Sequence, residues 1–423
     1  TSPRRSTPTC TTPLPTNSRP TPKAYEAGGL SLYAHTHLTD FDRRMSRSHP
    51  HTLIIGAGII GLSIGWELAR AGGHVVLFEA GEAGRGASHV AAGMLAPDAA
   101  LDFEETTLHA LNTESRRRWP AFADALEADT GADVWLRTEG TFIVADDRDA
   151  AEALQRRHRF QRDQGLDVEW WSGDEARAQE PFLAPRLSAA LWSPNDHQVD
   201  NRSVVDALHT GVRKHGGRLH EHTPIEAVDP DASRPAVVTA DGDRVEGDTV
   251  VVAAGAWSRS LDGLNGALPI RPVKGEAMAL EGTSPFDLRH VVRGPGDYVV
   301  PKSDGRVVVG ATAEEDGFND DVTAGGLYEN LEGGWEVVPG LLDLPVECTC
   351  ASFRPASRDN APVLGPVAPG VVAATGHYRH GVLLTPITAQ EVARYIRTGT
   401  LSDWIEPFQP ARFDTVSPDV AQT

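Results

Sequence analysis

The stretch from His51 to Glu79 constrains the fold of this chain more than any other. It opens with the apolar run Leu53-Ile54-Ile55, breaks into Gly56-Ala57-Gly58-Ile59-Ile60-Gly61, continues with helical spacing to about Ala71 and ends in Val75-Val76-Leu77-Phe78 before Glu79. The pattern predicts a strand, a helix and a second strand, with G-x-G-x-x-G at the first turn.

Each glycine of this motif has its own physical role. Gly56 permits a tight turn, and Gly58 lets the backbone approach a pyrophosphate, while Gly61 and Gly65 let the helix lie close to the strand. The helix N-terminus then faces the diphosphate with its free N–H groups and the positive end of its dipole. Glu79, 18 residues after Gly61, can accept hydrogen bonds from an adenosine ribose. A glycine-rich turn of another α/β protein is the alternative, but the complete order of elements favours a dinucleotide-binding unit.

Composition excludes several classes of protein. The 423 residues are enough for two domains. The chain has 39 Lys+Arg against 59 Asp+Glu, and the resulting net charge of −20 repels nucleic acid and anionic membranes. No apolar run approaches the ~20 residues of a membrane-spanning helix. The cysteines Cys10, Cys348 and Cys350 are too few for a disulfide framework. We expect a soluble, cytoplasmic protein with neither nucleic acid nor membrane as a partner, and no metal site.

The remaining pattern predicts an α/β fold with two domains. Residues 248–257 form an uninterrupted Val/Ala run typical of a parallel strand covered on both faces, and residues 297–310 are typical of a hairpin. We expect a Rossmann-like dinucleotide domain built from three chain segments, with a mixed-sheet α+β domain inserted twice. The expected segments are a disordered leader (1–44, with Met45 as a candidate natural start), the dinucleotide domain (45–98, 195–266 and 351–405), the second domain (99–194 and 267–350) and a C-terminal tail (406–423).

Seven motifs resemble, in this order, the D-amino-acid oxidase superfamily of FAD enzymes, and within it most the glycine oxidases of thiamine biosynthesis. They are GAGIIGLSIGWELA, GRGAS…AAGMLAP, VVVAAGAWS, RPVKGEAM, YVVPKSDGRVVVGAT, RPASRDNAPVLGP and ATGHYRHGVLLTP. The resemblance covers residues 51–405 and implies a non-covalently bound FAD.

The resemblance also implies which residues hold the cofactor. The turn from Gly376 to Leu384 would present N–H groups and a helix N-terminus to the N1/C2=O edge of the flavin, where reduced flavin is anionic. Four positions differ from the family's usual residues, namely His89, Glu276, Lys302 and His380, and of these Glu276 and His380 are expected near the flavin. The cofactor residues implied are Gly56, Gly58, Ile59, Ile60, Gly61, Glu79, Ala80, Arg85, Ala87, Ser88, Ala92, Gly93, Met94, Leu95, Gly255, His380, Gly381, Val382, Leu383 and Leu384.

The chemistry implied is oxidation of a small amino acid. The Cα hydrogen would leave as hydride to the flavin, O2 would become hydrogen peroxide, and the imine would hydrolyse to an oxo acid and ammonia, with glyoxylate as the oxo acid from glycine. Three catalytic residues are implied: Arg354 holds the substrate carboxylate bidentately, Tyr298 faces the substrate, and Arg379 either faces the flavin or closes the site. The expected partners are the amino acid, O2 and further copies of the chain in a homo-oligomer.

Three alternatives stay open at this point. The first is a sarcosine or other N-methyl amino-acid oxidase, the second a D-amino-acid dehydrogenase that feeds a quinone, and the third a non-catalytic FAD-binding scaffold. Some sarcosine oxidases attach flavin to a cysteine near the position of Cys350, but the favoured interpretation of Cys350 is a buried strand thiol.

Overall fold

A computed structural model describes residues 51–101, 106–231 and 233–414. The expected leader with Cys10, Met45 and the last nine residues lie outside the described residues. Within those ranges, none of the helices is both long and apolar enough to cross a lipid bilayer.

The described part of the chain contains strands and helices throughout. The strands are β1 (His51–Ile55), β2 (His74–Phe78), β3 (Met94–Leu95), β4 (Thr141–Ala145), β5 (Glu169–Ser172), β6 (Ala189–Ser193), β7 (His197–Gln198), β8 (Arg218–His220), β9 (Ile225–Asp229), β10 (Ala236–Thr239), β11 (Arg244–Glu246), β12 (Thr249–Val252), β13 (Arg271–Glu281), β14 (Val291–Arg293), β15 (Tyr298–Pro301), β16 (Arg306–Gly310), β17 (Val346–Ala356), β18 (Val363–Ala368) and β19 (Val371–Thr375). The α-helices are α1 (Ile59–Arg70), α2 (Ala87–Val90), α3 (Thr106–Thr130), α4 (Arg148–Asp163), α5 (Gly173–Gln179), α6 (Asn201–Lys214), α7 (Ala324–Val337) and α8 (Thr385–Thr398).

A six-stranded sheet in the order β18-β19-β12-β1-β2-β8 forms the core of one half of the molecule, which we call the cofactor half. All its neighbouring strands pair in parallel except β18 with β19. The helices α1, α6 and α8 pack on one face, and the small sheet β11-β10-β9 covers the other. This coverage buries both faces of β1 and β12 and confirms the predicted β1-α1-β2 unit and the predicted parallel strand.

An eight-stranded sheet in the order β17-β13-β16-β15-β14-β4-β6-β5 forms the core of the other half, which we call the substrate half. Its strands come from residues 141–193 and 271–356, and β15 and β16 form the predicted hairpin. Helix α7 packs on one face, where Met278, Val299 and Val309 meet Val337. The opposite face carries Tyr298, Val300 and Val308 against Ala92 of the cofactor half.

Three segments differ from the expected division into domains. Helix α3, expected in the second domain, packs Leu111, Trp119 and Phe122 into the core of the cofactor half, because its apolar stripe fits against α6 and α8. Strand β17 crosses the expected boundary at residue 350, because its pairing with β13 continues to Ala356. Residues 406–414, expected as part of a tail, bury Phe408 in the same core as α3. We propose that the two sheets are the cores of two domains, with the last boundary after residue 356.

The contact between α1 and the turn before it tolerates no side chain at Gly61. A Cβ atom there would lie 2.0 Å from the carbonyl oxygen of Gly56. We predict that Gly61→Ala lowers the free energy of unfolding by about 1–3 kcal/mol, because the overpacked backbone must shift. Thermal unfolding followed by circular dichroism measures the change. Gly296→Ala is the matched control, because a Cβ there meets no atom within 4 Å. Equal melting temperatures for both variants would contradict the prediction.

Candidate active site

The G-x-G-x-x-G turn lies where the carboxyl ends of β1, β2 and β12 meet. Gly56 adopts φ +99°, and its N–H donates to the carbonyl of Phe78 at 2.8 Å. A Cβ atom at Gly56 would lie 2.4 Å from the carbonyl oxygen of Ala253, in the segment after β12. Only glycine therefore fits between the ends of these strands.

The N-terminus of α1 offers several open donors. Among the described residues, the N–H groups of Gly58, Ile60 and Gly61 have no acceptor, while the N–H of Ile59 donates to the hydroxyl oxygen of Ser88 at 2.9 Å. Ser88 keeps its own hydroxyl hydrogen for a further acceptor. Open N–H groups at the positive end of a helix are suited to an anion such as a diphosphate.

Glu79 fixes the shape of the same turn from the end of β2. Its Oε2 accepts from the N–H of Ala57 at 2.8 Å, and its Oε1 accepts from the N–H of Gly81 at 3.1 Å. Each carboxylate oxygen keeps a further lone pair that a ribose hydroxyl could reach. Ala80 is exposed next to Glu79, and Arg85 forms a surface ion pair with Glu82 at 3.4 Å.

The segment Ala92–Leu95 is held in place by a buried lysine. Gly93 adopts φ +72°, and a Cβ atom there would lie 2.2 Å from the carbonyl oxygen of Val199. The Lys302 ammonium donates to the carbonyl of Ala92 and, at 3.0 Å, to that of Val199. Burial lowers the pKa of Lys302 to about 7. Lysine thus ties the hairpin of the substrate half to the segment expected to line the flavin.

The turn before α8 provides a second set of open donors. Among the described residues, the N–H groups of Gly381, Val382 and Leu383 have no acceptor, and α8 has no side-chain cap. Burial, with Arg379 nearby, lowers the pKa of His380 to about 4, so the imidazole is neutral at pH 7. The His380 side chain therefore adds no positive charge beside the N–H donors of this turn.

These features together fit an FAD. One helix N-terminus suits the diphosphate, and the other suits the anionic edge of a reduced flavin. Gly255, at φ +53°, has no atom within 4 Å of its would-be Cβ, so the end of β12 between the two helices is open. The residues that would hold the cofactor are those of the α1 turn, Glu79, the segment Ala92–Leu95 and the α8 turn.

The substrate half presents one row of residues across five strands towards the cofactor half. In register, the row is Arg293, Tyr298, Gly310, Ala277 and Cys350. Because directly paired residues project to the same side of a sheet, all five share one face. On β17, Ser352 and Arg354 lie on this face as well, two and four residues after Cys350. We call it the site face.

Arg354 lies flat across a glycine on the site face. A Cβ atom at Gly275 would be 2.5 Å from Nη2 of Arg354, so only glycine leaves room for the guanidinium. Nη1 donates to the carbonyls of Lys274 at 3.2 Å and Thr312 at 2.8 Å. Among the described residues, Nε and Nη2 have no acceptor, and no carboxylate pairs with Arg354. The free Nε/Nη2 edge has the geometry that binds a carboxylate bidentately.

Tyr298 covers the other glycine of the site face. Its hydroxyl oxygen would lie 3.1 Å from a Cβ atom at Gly310. Burial raises the pKa of Tyr298, against the opposing effect of Arg354. The hydroxyl therefore stays protonated at neutral pH and can donate a hydrogen bond on the side of Arg354.

Glu276 lies on the opposite face of the sheet from the Arg354–Tyr298 pair, and Arg379 lies at the surface. The expectation that Glu276 lies near the flavin is wrong, because alternation along β13 directs it to the α7 face, where it pairs with Lys274 at 2.8 Å and accepts from the N–H of Thr323 at 2.9 Å. Arg379 is exposed, and its guanidinium stacks 4.9 Å from the ring centroid of Tyr378. Both expectations for Arg379 stay predictions.

Three polar residues at the site were not found from the sequence. Asn201 donates from Nδ2 to the carbonyl of Ser88 at 2.7 Å, Arg293 donates from Nη1 to the carbonyl of Ala99 at 2.6 Å, and Ser352 is buried on the site face. Alternation along β17 could have indicated Ser352, because it stands two residues before Arg354. Nothing local marks Asn201 or Arg293, whose contacts lie about a hundred or more residues away along the chain.

Crowding the α1 turn should prevent cofactor binding. We predict that purified Gly58→Val carries less than a tenth of the wild-type FAD, because a Cβ there already lies 3.3 Å from Oγ of Ser88 and valine adds branched carbons where a diphosphate must approach. Glu79→Ala should weaken FAD binding more mildly, by the loss of a ribose acceptor and of the Ala57 contact. Flavin absorbance per folded chain measures both. Full occupancy in Gly58→Val would show that the diphosphate binds elsewhere.

Comparison with known proteins agrees with this geometry. The family model described as "FAD dependent oxidoreductase" matches residues 51–395. The glycine oxidase of Geobacillus kaustophilus is 34% identical over 363 residues, which cover 85% of this chain and 96% of that protein. The bifunctional protein ThiO/ThiG of Synechocystis is 33% identical, and the match covers 86% of this chain and 54% of that protein.

Solved structures give the same result. The crystal structure of glycine oxidase from Geobacillus kaustophilus matches with a TM-score of 0.80 at 33% identity and covers 86% of this chain and 99% of that one. Iminodiacetate oxidase from Chelativorans matches with a TM-score of 0.74 at 27% identity and covers 85% and 98%. The family match, the shared fold and the two open helix N-termini lead to one conclusion: the chain belongs to the D-amino-acid oxidase family of FAD-dependent oxidoreductases and is a flavoenzyme of amine oxidation.

Proposed function

We propose that the chain oxidises glycine with O2 and water to glyoxylate, ammonia and hydrogen peroxide, and that this reaction supplies thiamine thiazole synthesis. The similarity to glycine oxidases over nearly their whole length supports the substrate. The resemblance of the seven motifs and the similarity to a ThiO/ThiG protein support the link to thiamine. Homo-oligomeric assembly and a cytoplasmic location stay predictions from the sequence.

The observation that carries the proposal is the free edge of Arg354 on the site face. A half-buried guanidinium with no carboxylate partner among the described residues has lost part of its hydration, and an anionic ligand that binds to it would offset this cost. Two backbone carbonyls hold Nη1, so the Nε/Nη2 edge keeps one orientation. An amino acid bound there through its carboxylate has its Cα fixed in distance and angle.

The other residues of the site face position the rest of the substrate. The Arg354 guanidinium covers Gly275 and the Tyr298 hydroxyl covers Gly310, and the small residue Ala277 between them leaves room for a small amino acid. FAD, when bound, accepts the hydride from Cα and passes the electrons to O2. No side-chain nucleophile is needed, so the residues of this chain contribute through orientation and charge.

A second candidate substrate class is an amine that carries two carboxylates. Arg293 stands directly opposite Tyr298 on β14, on the same face, and no carboxylate of the described residues forms an ion pair with it, although burial lowers its pKa and Asp196 lies close enough to oppose that shift. A second cation beyond Tyr298 could bind the far carboxylate of iminodiacetate while Arg354 binds the near one. The similarity to an iminodiacetate oxidase is consistent with this possibility.

Removal of the Arg354 guanidinium should weaken both binding and turnover. We predict that Arg354→Ala lowers kcat/KM for glycine. The fall should correspond to a loss of roughly 2–5 kcal/mol of transition-state stabilisation, the range for removing one partner of a buried charge pair. Part of the loss should appear in kcat, because a loosely held carboxylate no longer fixes Cα. Arg354→Lys should recover little of this activity, because an ammonium cannot donate two parallel hydrogen bonds to a carboxylate as a guanidinium does. Steady-state kinetics on FAD-replete protein measure these changes.

The control for this experiment is Arg244→Ala. Arg244 forms an exposed ion pair with Asp229 at 2.7 Å, far from the site in the fold, and its loss should leave kcat/KM unchanged. Inhibition by glycolate provides a second readout, because glycolate presents the carboxylate without the amine. Unchanged glycolate inhibition in Arg354→Ala would place the carboxylate site elsewhere, with Arg379 as the next candidate.

A substrate panel separates glycine oxidation from its alternatives. We predict peroxide from glycine in air, measured by a peroxidase-coupled assay alongside sarcosine, D-alanine and iminodiacetate. One methyl group is worth only roughly 1–3 kcal/mol in a pocket, so sarcosine and D-alanine should react at measurable rates. Flavin bleaching by an amine without air, with no peroxide in air, would identify a dehydrogenase. A flavin that none of the four amines bleaches would contradict the proposed function and leave a binding scaffold.

A further inference from the structure

Ser352 carries a buried hydroxyl whose partner is not part of the described protein. Its side chain is 5% exposed, and among the described residues its Oγ has no hydrogen-bond partner. Burial of a hydroxyl without a partner costs about 1–3 kcal/mol, so such groups are uncommon in folded proteins. The hydroxyl is therefore free to bond a ligand next to it, and its position in the sheet decides whether one can bind there.

The sheet register places this hydroxyl beside the free edge of Arg354. Ser352 pairs directly with Gly275, the glycine that lies under the Arg354 guanidinium, and Arg354 stands two residues further along the same face of β17. Directly paired positions have Cβ atoms about 4.5–5.5 Å apart. The guanidinium fills the space over Gly275, so the Ser352 hydroxyl lies beside it on the same face, and one small ligand can contact both.

The surroundings of this position favour an anion. The other residues of the site face nearby are Gly275, Ala277, Gly310 and Cys350, none of which carries a carboxylate, while Arg354 and Tyr298 are donors. A carboxylate has about four lone-pair positions, of which the Nε/Nη2 edge of Arg354 uses two. A hydroxyl donor beside that edge can bind one of the remaining positions.

We propose that Ser352 is a second anchor of the substrate carboxylate and positions it against Arg354. This inference rests on the proposed function, because it assigns Ser352 to the same carboxylate site. A third donor limits rotation of the carboxylate about the guanidinium edge, and the smallest amino acid, which has no side chain to restrain it, depends most on such a contact.

The experiment measures acetate binding to FAD-replete protein through the change in flavin absorbance. In Ser352→Ala we expect the Kd of acetate and the KM of glycine to rise together by about tenfold, with kcat changed less than twofold. FAD content and the flavin reduction potential should equal those of the wild type. Ser402→Ala is the matched control, because Ser402 is 6% exposed and its Oγ also lacks a partner among the described residues, but it lies after α8 in the cofactor half.

Two results would overturn the role of Ser352. An unchanged Kd for acetate would show that the hydroxyl does not touch the carboxylate, and a shifted reduction potential with unchanged acetate binding would assign it to the flavin instead. Acetate binding to Arg354→Ala tests the proposed function separately from the role of Ser352. If acetate still binds without Arg354, the carboxylate site itself is refuted. If acetate binding depends on both residues but no amino acid is oxidised, the anchor stands and the proposed reaction fails.

Discussion

The close approach of α1 to the end of β1 is the constraint on which the cofactor half depends. Gly61 lies so near the carbonyl of Gly56 that a Cβ would be 2.0 Å from that oxygen. Because α1 is pressed onto the turn, its first N–H groups point out at the sheet edge where β2 and β12 also end. The same closeness lets Ser88 and Glu79 bond the turn backbone, so the anion site is rigid before any ligand arrives.

The sequence predicted those parts of the fold whose causes are local. Apolar periodicity and turn glycines within about 30 residues are enough to predict the β1-α1-β2 unit and the hairpin of β15 and β16. Strand β8 and the β9–β11 sheet went unpredicted, because strands of only 3 to 5 residues are too short to show a periodicity. The placement of α3 depends on which distant helices its apolar stripe meets, and no local pattern records that.

The same limit explains which site residues the sequence could indicate. Arg354 and Tyr298 were found through the resemblance alone, since neither an arginine nor a tyrosine in a strand is unusual by itself. Their relation is a matter of register: β13 and β16 place Gly275 and Gly310 under the two side chains, and the strands involved lie up to about 80 residues apart. Glu276 was misplaced for a related reason, because a one-residue step along β13 changes the face of the sheet.

In its middle, strand β13 carries a buried ion pair on one face and small uncharged residues on the other, next to Arg354. On the α7 face, Lys274 and Glu276 are fully buried and paired at 2.8 Å, and the carboxylate also binds the backbone at Thr323, just before α7. Loss of Lys274 would leave the buried Glu276 carboxylate without its cation, at a cost of roughly 3–5 kcal/mol, whereas loss of Glu276 would leave Lys274 with Glu314 at 3.5 Å. On the site face, Gly275 and Ala277 offer no charge, so the free edge of Arg354 has no competing carboxylate there. Glu276 thus connects β13 to the segment just before α7, and the arginine on the other face remains available to an anionic substrate.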